Sequence, residues 1–250
     1  MADASDIARP ETDYRRSRTA RVAREIGMAI VAGRFPQSSI LPGDAELTER
    51  FGVSRTVLRE AMKTLAGKGL IQAKARIGTR VRDRTEWNLF DRDVLIWHAT
   101  NGFDPAFLVH LSEMRLAIEP EAAALAAERH SPKQLEDIWR WLEAMSAADT
   151  THDEFVDNDL RFHLAVAAAA ANPFLRSIST LIEVALVAGL RISSPVQEPS
   201  RLALSLTQHR AVAETIASGD PDAARAAMRI VIENGLAFNR ANLEAQRQKA

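Results

Sequence analysis

The chain has 250 residues, a formal net charge of −1, 46% hydrophobic and 26% charged residues, and no cysteine. That length suits two modest cores better than one, and the composition is ordinary for a globular cytosolic protein. Without cysteine, disulfides and thiolate metal sites are excluded, so any metal must be held by histidine and carboxylate.

The polar start MADASDIARPETDYRR has no apolar run of signal-peptide type, and no stretch has the apolar length of a membrane span. A cytoplasmic location without a membrane partner is therefore expected. The near-zero charge hides an asymmetry. Residues 1–85 hold 17 Lys+Arg against 10 Asp+Glu, and the remainder holds 15 against 23, so a segment at +7 precedes one at −8. A basic module on an acidic remainder is the pattern of a nucleic-acid reader joined to a different kind of domain.

In chain order, residues 1–14 are polar and read as a disordered tail. Residues 15–84 read as a winged helix-turn-helix. Val22, Ile26, Ala29 and Ile30 recur at helical spacing up to a stop at Gly33. Pro42-Gly43 marks a turn, Asp44 is placed to cap a short helix to about Phe51, Gly52 breaks it, and Ser54 caps a second helix from Arg55 to about Ala66. Gly67 and Gly69 end that helix, and LIQAKA and TRVRD read as a hairpin around Arg76-Ile77-Gly78. Residues 85–103 form a connector with one short helix, and residues 104–250 read as an antiparallel all-helical bundle of six or seven members. Its breaks fall at Ser131-Pro132, Thr150-Thr151, Asn172-Pro173, Ser193-Ser194-Pro195 and Gly219. The fold class expected is thus mainly α.

The DNA-reading residues follow from helix geometry. Arg55 and Arg59 share a face of the second helix, while Val57, Leu58, Ala61, Met62 and Leu65 form its apolar side. Arginine at the start of a recognition helix can bind guanine O6 and N7 bidentately, and Ser54 and Thr56 suit phosphate oxygens. Arg76 and Gly78 lie at the wing, where glycine permits a tight turn and arginine reaches a phosphate or the minor groove.

LPGDAELTERFGVSRTVLREAMKTLAGKGLIQAKARIGTRV resembles the winged helix of the GntR family. The helical remainder, with EMRLAIEPEAAALAA and DNDLRFHLAVAAAAANP, resembles the FCD ligand-binding domain of that family's FadR-type branch, and the likeness spans roughly residues 15–240. The connector WNLFDRDVLIWHATNGFDP is similar to that of repressors of sugar-acid catabolism. One departure concerns the turn Pro42-Gly43-Asp44-Ala45, where family members often have Pro-Ser-Glu followed by arginine. The resemblance implies a homodimer on double-stranded operator DNA.

In the second domain Asp159 and His163 lie four apart on one helix, on a face that continues through Val166 and Ala170 and so points inward. An inward Asp and His require partners, and His209 opens a later apolar stretch. The residues alone suit a structural ion pair and a divalent metal site equally. The resemblance implies the latter: Asp159, His163 and His209 fall on three positions of the branch's metal set, and Val231 falls on the fourth, usually histidine. Zinc is the expected ion, with nickel or manganese as alternatives. Arg115 reads as a surface arginine paired with Glu113 or Glu119, or, by the resemblance, as an inward anchor that grips a small carboxylate effector by two parallel bonds. Arg115, Asp159, His163 and His209 together form the expected effector site. His98, His110, His130 and His152, Trp139 and Trp141, and the alanine run at 165–171 read as surface or packing residues.

Three functions remain open: a repressor of a carbohydrate-acid operon released by a hydroxy-carboxylate, a metal-dependent enzyme with a 2-His-1-carboxylate site, and a metal-free regulator responding to acyl ligands. The absence of a strand-rich barrel or an evident general base weighs against the enzyme.

Overall fold

The computed structural model describes residues 18–101, 105–193 and 195–247. The expected disordered tail, residues 1–14, lies outside them. The chain divides into two compact units, residues 1–102 and 103–250.

In the first unit, α1 (Arg18–Val31), α2 (Asp44–Phe51) and α3 (Arg55–Gly67) precede strands β1 (Ile71–Lys74) and β2 (Gly78–Val81) and helix α4 (Arg92–Thr100). Val22, Ile26 and Ile30 of α1 meet Leu47 of α2 and Leu58, Ala61 and Leu65 of α3 in one buried cluster. The apolar spacing seen in the sequence therefore faces the core. Ser54 caps α3, its hydroxyl accepting from the Val57 N–H. At α2 the cap is Gly43, and Asp44 is instead the first helical residue. Its charge still faces the positive end of the helix dipole, although it makes no capping bond. Gly52 closes α2 in the left-handed region at φ 59°, where a side chain would be strained. The wing is antiparallel, pairing Ile71 with Val81 and Lys74 with Gly78, and Arg76 in its turn takes φ 63°.

Helix α4 belongs to this unit, with Val94 buried in the same cluster. Lys68, just past α3, is almost buried and places Nζ 2.7 Å from Asp91 and 2.8 Å from Asp93. Burial alone would lower its pKa, but the two carboxylates outweigh burial and raise it. Trp97 of α4 lies against Gly27 of α1, where an added Cβ would come within 2.2 Å of the indole.

The second unit contains α5 (Pro105–Arg129), α6 (Pro132–Met145), α7 (His152–Ala169), α8 (Pro173–Ser177), α9 (Ser179–Ser193), α10 (Pro199–Ala217) and α11 (Pro221–Arg247). Ser131 and Thr151 build capping boxes with Gln134 and Glu154, so these two helices start where the sequence signals place them. The expected single helix over 173–192 is two helices. Asn172 caps the first turn, which ends at Ile178 before α9 begins. Helix α5 packs most extensively on α11, and α6 on α7. Phe155, Phe162 and Val166 of α7 are buried with Ile138, Leu142 and Met145 of α6 and with Val212 and Ile216 of α10. Trp139 and Trp141 are half-buried against this core. Ala167, Ala169 and Ala170 are buried, which lets neighbouring helices approach closely. Pro120 stands inside α5, where its missing N–H leaves the Leu116 carbonyl without its helical donor. No helix among the described residues is long and apolar enough to cross a membrane.

Candidate DNA-reading face and effector site

On α3, Arg55, Thr56 and Arg59 are exposed. Neither arginine makes a hydrogen bond or ion pair within the described residues, so both guanidinium forks are available to an external acceptor. The Ser54 oxygen accepts its capping bond while its O–H proton remains able to donate. Arg76 and Gly78 are exposed at the wing, Gly78 as the first residue of β2. Arg80 on β2 donates to the Ser38 hydroxyl at 2.6 Å, which ties the wing to the segment before α2.

In the second unit Asp159, His163 and His209 are buried and each directs one ligand atom to a common point, these atoms lying within 4.8 Å of one another. Helix α7 supplies Asp159 and His163 one turn apart, and α10 brings His209 across. The ring hydrogen bonds decide the tautomers. His209 Nδ1 lies 2.8 Å from the Ser205 carbonyl, and His163 Nδ1 lies 2.5 Å from Glu119 Oε2. Both partners can only accept, so both Nδ1 atoms carry a proton, and in the neutral rings it is the two Nε2 atoms that can bind a metal.

His209 Nε2 is 3.0 Å from Asp159 Oδ1, yet neither it nor Asp159 Oδ2 finds a hydrogen-bond partner among the described residues. With a neutral His209 these are two acceptors facing each other in a buried site, an arrangement that a cation between them satisfies. The donor set therefore fits a divalent metal, with second-sphere oxygens already orienting both imidazoles. Burial pushes the Asp159 carboxyl pKa up, but His209, His163 and Arg115 together hold it below its ordinary value.

Arg115 on α5 lines the same cavity, which encloses about 740 Å³ counting the space open at its mouth. Its Nε donates to Glu119 one turn on, and its Nη2 is 3.5 Å from both ring nitrogens of His163, so the guanidinium lies alongside the imidazole. Nη1 makes no hydrogen bond among the described residues. The pairing with Glu119 and the inward position thus occur together. Glu119 is 2% exposed. Burial would raise its pKa, but the charges of Arg115 and His163 and the bonds from both lower it to about 2. Val231 on α11 also lines the cavity, offering no ligand atom at the position where the resemblance leads one to expect histidine.

Glu119 is buried against Arg115 and His163, two residues of the cavity wall, and the sequence shows it only as a surface partner of Arg115. The signal available was its spacing of four from that arginine. Arg201, Gln208, Asn234 and Asn239 also line the cavity, and they have no local signature by which the sequence could single them out.

A winged helix with exposed arginines on its second turn-forming helix, joined to a helical unit with a polar cavity, has the architecture of a DNA-binding regulator. Residues 18–81 match the model for bacterial regulatory proteins of the gntR family, and residues 110–234 match the FCD domain. The galactonate operon transcriptional repressor of Escherichia coli K12 is 34% identical over 211 residues, covering 84% of this chain and 92% of that protein. The transcriptional repressor NanR of Enterobacter sp. strain 638 is 29% identical over 213 residues, covering 83% and 79%. Among solved structures, Lar, described as controlling expression of the Listeria monocytogenes agr system, aligns with a TM-score of 0.61 at 20% identity, covering 89% and 96%. Escherichia coli McbR/YncC aligns at 0.51 and 18% identity, covering 91% and 99%. This chain belongs to the GntR family of DNA-binding transcriptional regulators, in the group that carries an FCD domain. Its named relatives are regulators, and the enzyme alternative is set aside.

Proposed function

We propose that this protein is a metabolite-responsive repressor, acting in the cytoplasm as a homodimer on a pseudo-palindromic operator, and released when a hydroxylated carboxylate of the sugar-acid class enters the α5–α11 cavity. The observation that carries the reading is the convergence of Arg115 with Asp159, His163 and His209 on one buried cavity. A divalent ion held by those three ligands supplies a Lewis-acid position for carboxylate and hydroxyl oxygens, and two imidazoles with one carboxylate favour zinc, with nickel or manganese as alternatives. Glu119 fixes the His163 tautomer, the Ser205 carbonyl fixes that of His209, and Arg115 Nη1 meets the effector carboxylate. Polar groups on Ser112, Ser205, Gln208, Asn234 and Asn239 suit a polyhydroxy chain and argue against a purely apolar acyl ligand. The 34% identity to a galactonate operon repressor supports the same chemistry. Arg55 and Arg59 read base edges, with Ser54, Thr56, Arg76 and Gly78 on the backbone.

Release requires the ligand to bind the DNA-incompetent arrangement more tightly, since equal affinity for both states shifts nothing. The test is a gel-shift titration with aldonic acids on wild type and His163→Ala, alongside metal analysis. Wild type should carry close to one equivalent of metal per chain and release the operator at millimolar acid. The variant should lose the metal and stay bound. A metal-free wild type that gains no stability from zinc or nickel refutes the metal reading. Release by an amino acid or acyl thioester but by no sugar acid refutes the effector class.

A further inference from the structure

The cavity wall carries two side-chain amides that neither the anchor nor the metal set uses. Gln208 on α10 and Asn234 on α11 are half-buried there, and neither amide makes a hydrogen bond among the described residues. The serine hydroxyls of the same wall are engaged. Ser112 donates to the Leu108 carbonyl at 2.9 Å, and Ser205 Oγ lies 3.5 Å from His209 Nδ1.

The helices set the two amides at different depths. Gln208 immediately precedes the ligand His209. Helices α10 and α11 join through the turn at Gly219 and pack on one another, so Val231 falls near the level of Gln208 and Asn234 near that of Ser205. Asn234 is three residues beyond Val231 on the cavity side of α11, about 4.5 Å of helix rise further from the His209 end. Gly235 beside it also lines the cavity, and a Cβ there would meet nothing within 4 Å outside its own helix turn. Glycine inside a helix is destabilising, and here it leaves room for a ligand chain next to the Asn234 amide.

We infer that Gln208 and Asn234 read the hydroxyls of the effector's tail, and so select a polyhydroxylated acid over an acid of the same length with a bare alkyl tail. This rests on the reading that the effector carboxylate is held at the Arg115 and His/Asp end. An amide offers N–H donors on one side and a carbonyl acceptor on the other, and both need a partner once water leaves the cavity. A second carboxylate could only accept, an ammonium could only donate, and an alkyl chain can do neither. A run of hydroxyls does both at successive carbons, which matches two unpaired amides at successive depths.

The probes are galactonate, gluconate and 2-hydroxyhexanoate, which share the carboxylate, the 2-hydroxyl and the chain length and differ in the tail hydroxyls. Each is titrated against the operator complex of the full-length protein, as wild type, Gln208→Leu and Asn234→Leu. In wild type at least one aldonate should release the operator at about tenfold lower concentration than 2-hydroxyhexanoate, because the alkyl tail leaves the amides unpaired. Each leucine variant should need about three- to tenfold more of that aldonate and less 2-hydroxyhexanoate than wild type needs. Opposite shifts for the two acids cannot come from a damaged fold, which would weaken both. Equal release by aldonates and 2-hydroxyhexanoate in wild type overturns the amide reading and leaves the proposed carboxylate site standing. So do variants that shift both kinds of acid the same way, or neither. Release by none of these acids overturns both readings.

Discussion

Replacing Glu119 by Gln tests the polar centre of the helical unit most directly, because the amide keeps the shape and removes only the charge. Glu119 is fully buried between Arg115 and His163, and its folded-state pKa of about 2 compares with an ordinary 4.5. A folded value below the unfolded one means the contribution is complete above pH 4.5 and is lost as pH falls toward 2. Each tenfold change in acidity between the two states is worth about 1.4 kcal/mol, so the carboxylate contributes on the order of 3 kcal/mol at neutral pH. Glutamine can still accept from His163 Nδ1–H but leaves the buried Arg115 without a counter-charge, so the variant should lose most of that amount. Urea unfolding of both proteins at pH 7 and pH 3 measures it. The gap should be about 3 kcal/mol at pH 7 and fall to less than half at pH 3, where the wild-type carboxylate is itself losing its advantage. Equal stability at pH 7, or a gap that does not change with pH, would show that Glu119 does not carry the charge balance of the site.

Arg55→Ala and Arg59→Ala should each cost about 1–3 kcal/mol of operator binding at fixed salt and leave the thermal stability of the protein unchanged. Operator affinity unaltered in both variants removes α3 as the reading helix. Gly27→Ala should destabilise the first unit by roughly 1–3 kcal/mol, because the new methyl meets the Trp97 ring at 2.2 Å and one of the two must move. Tryptophan fluorescence during thermal unfolding reports it, and a variant as stable as wild type would mean that α4 is loosely attached.

The sequence disclosed what is local. Helix starts at Ser54, Ser131 and Thr151 depend on a side chain reaching a backbone N–H three residues on, and that relation is visible in a linear string. The same holds for the one-turn spacing of Asp159 and His163. Long-range pairings were not visible. Glu119 meets His163 across 44 positions, and Lys68 meets Asp91 across 23, with nothing in either neighbourhood that selects one carboxylate over another. The break at Ile178 was hidden for a different reason. The apolar run on either side continues at helical period, and only the local geometry after the Asn172 cap interrupts it.

The attachment of α4 bears on how regulators of this kind are recombined. Lys68 sits between Asp91 and Asp93, and Trp97 fills the space beside Gly27, so α4 moves with α1 and α3 as one piece. A graft that ended the DNA-reading half after the wing, at Val81, would strip Lys68 of both carboxylates and uncover the α1 surface that Trp97 protects. One that ended after Thr100 would carry the clasp intact. Exchange of FCD domains between such proteins thus has a natural seam at the end of α4, and a chimera joined there inherits a complete DNA-binding unit.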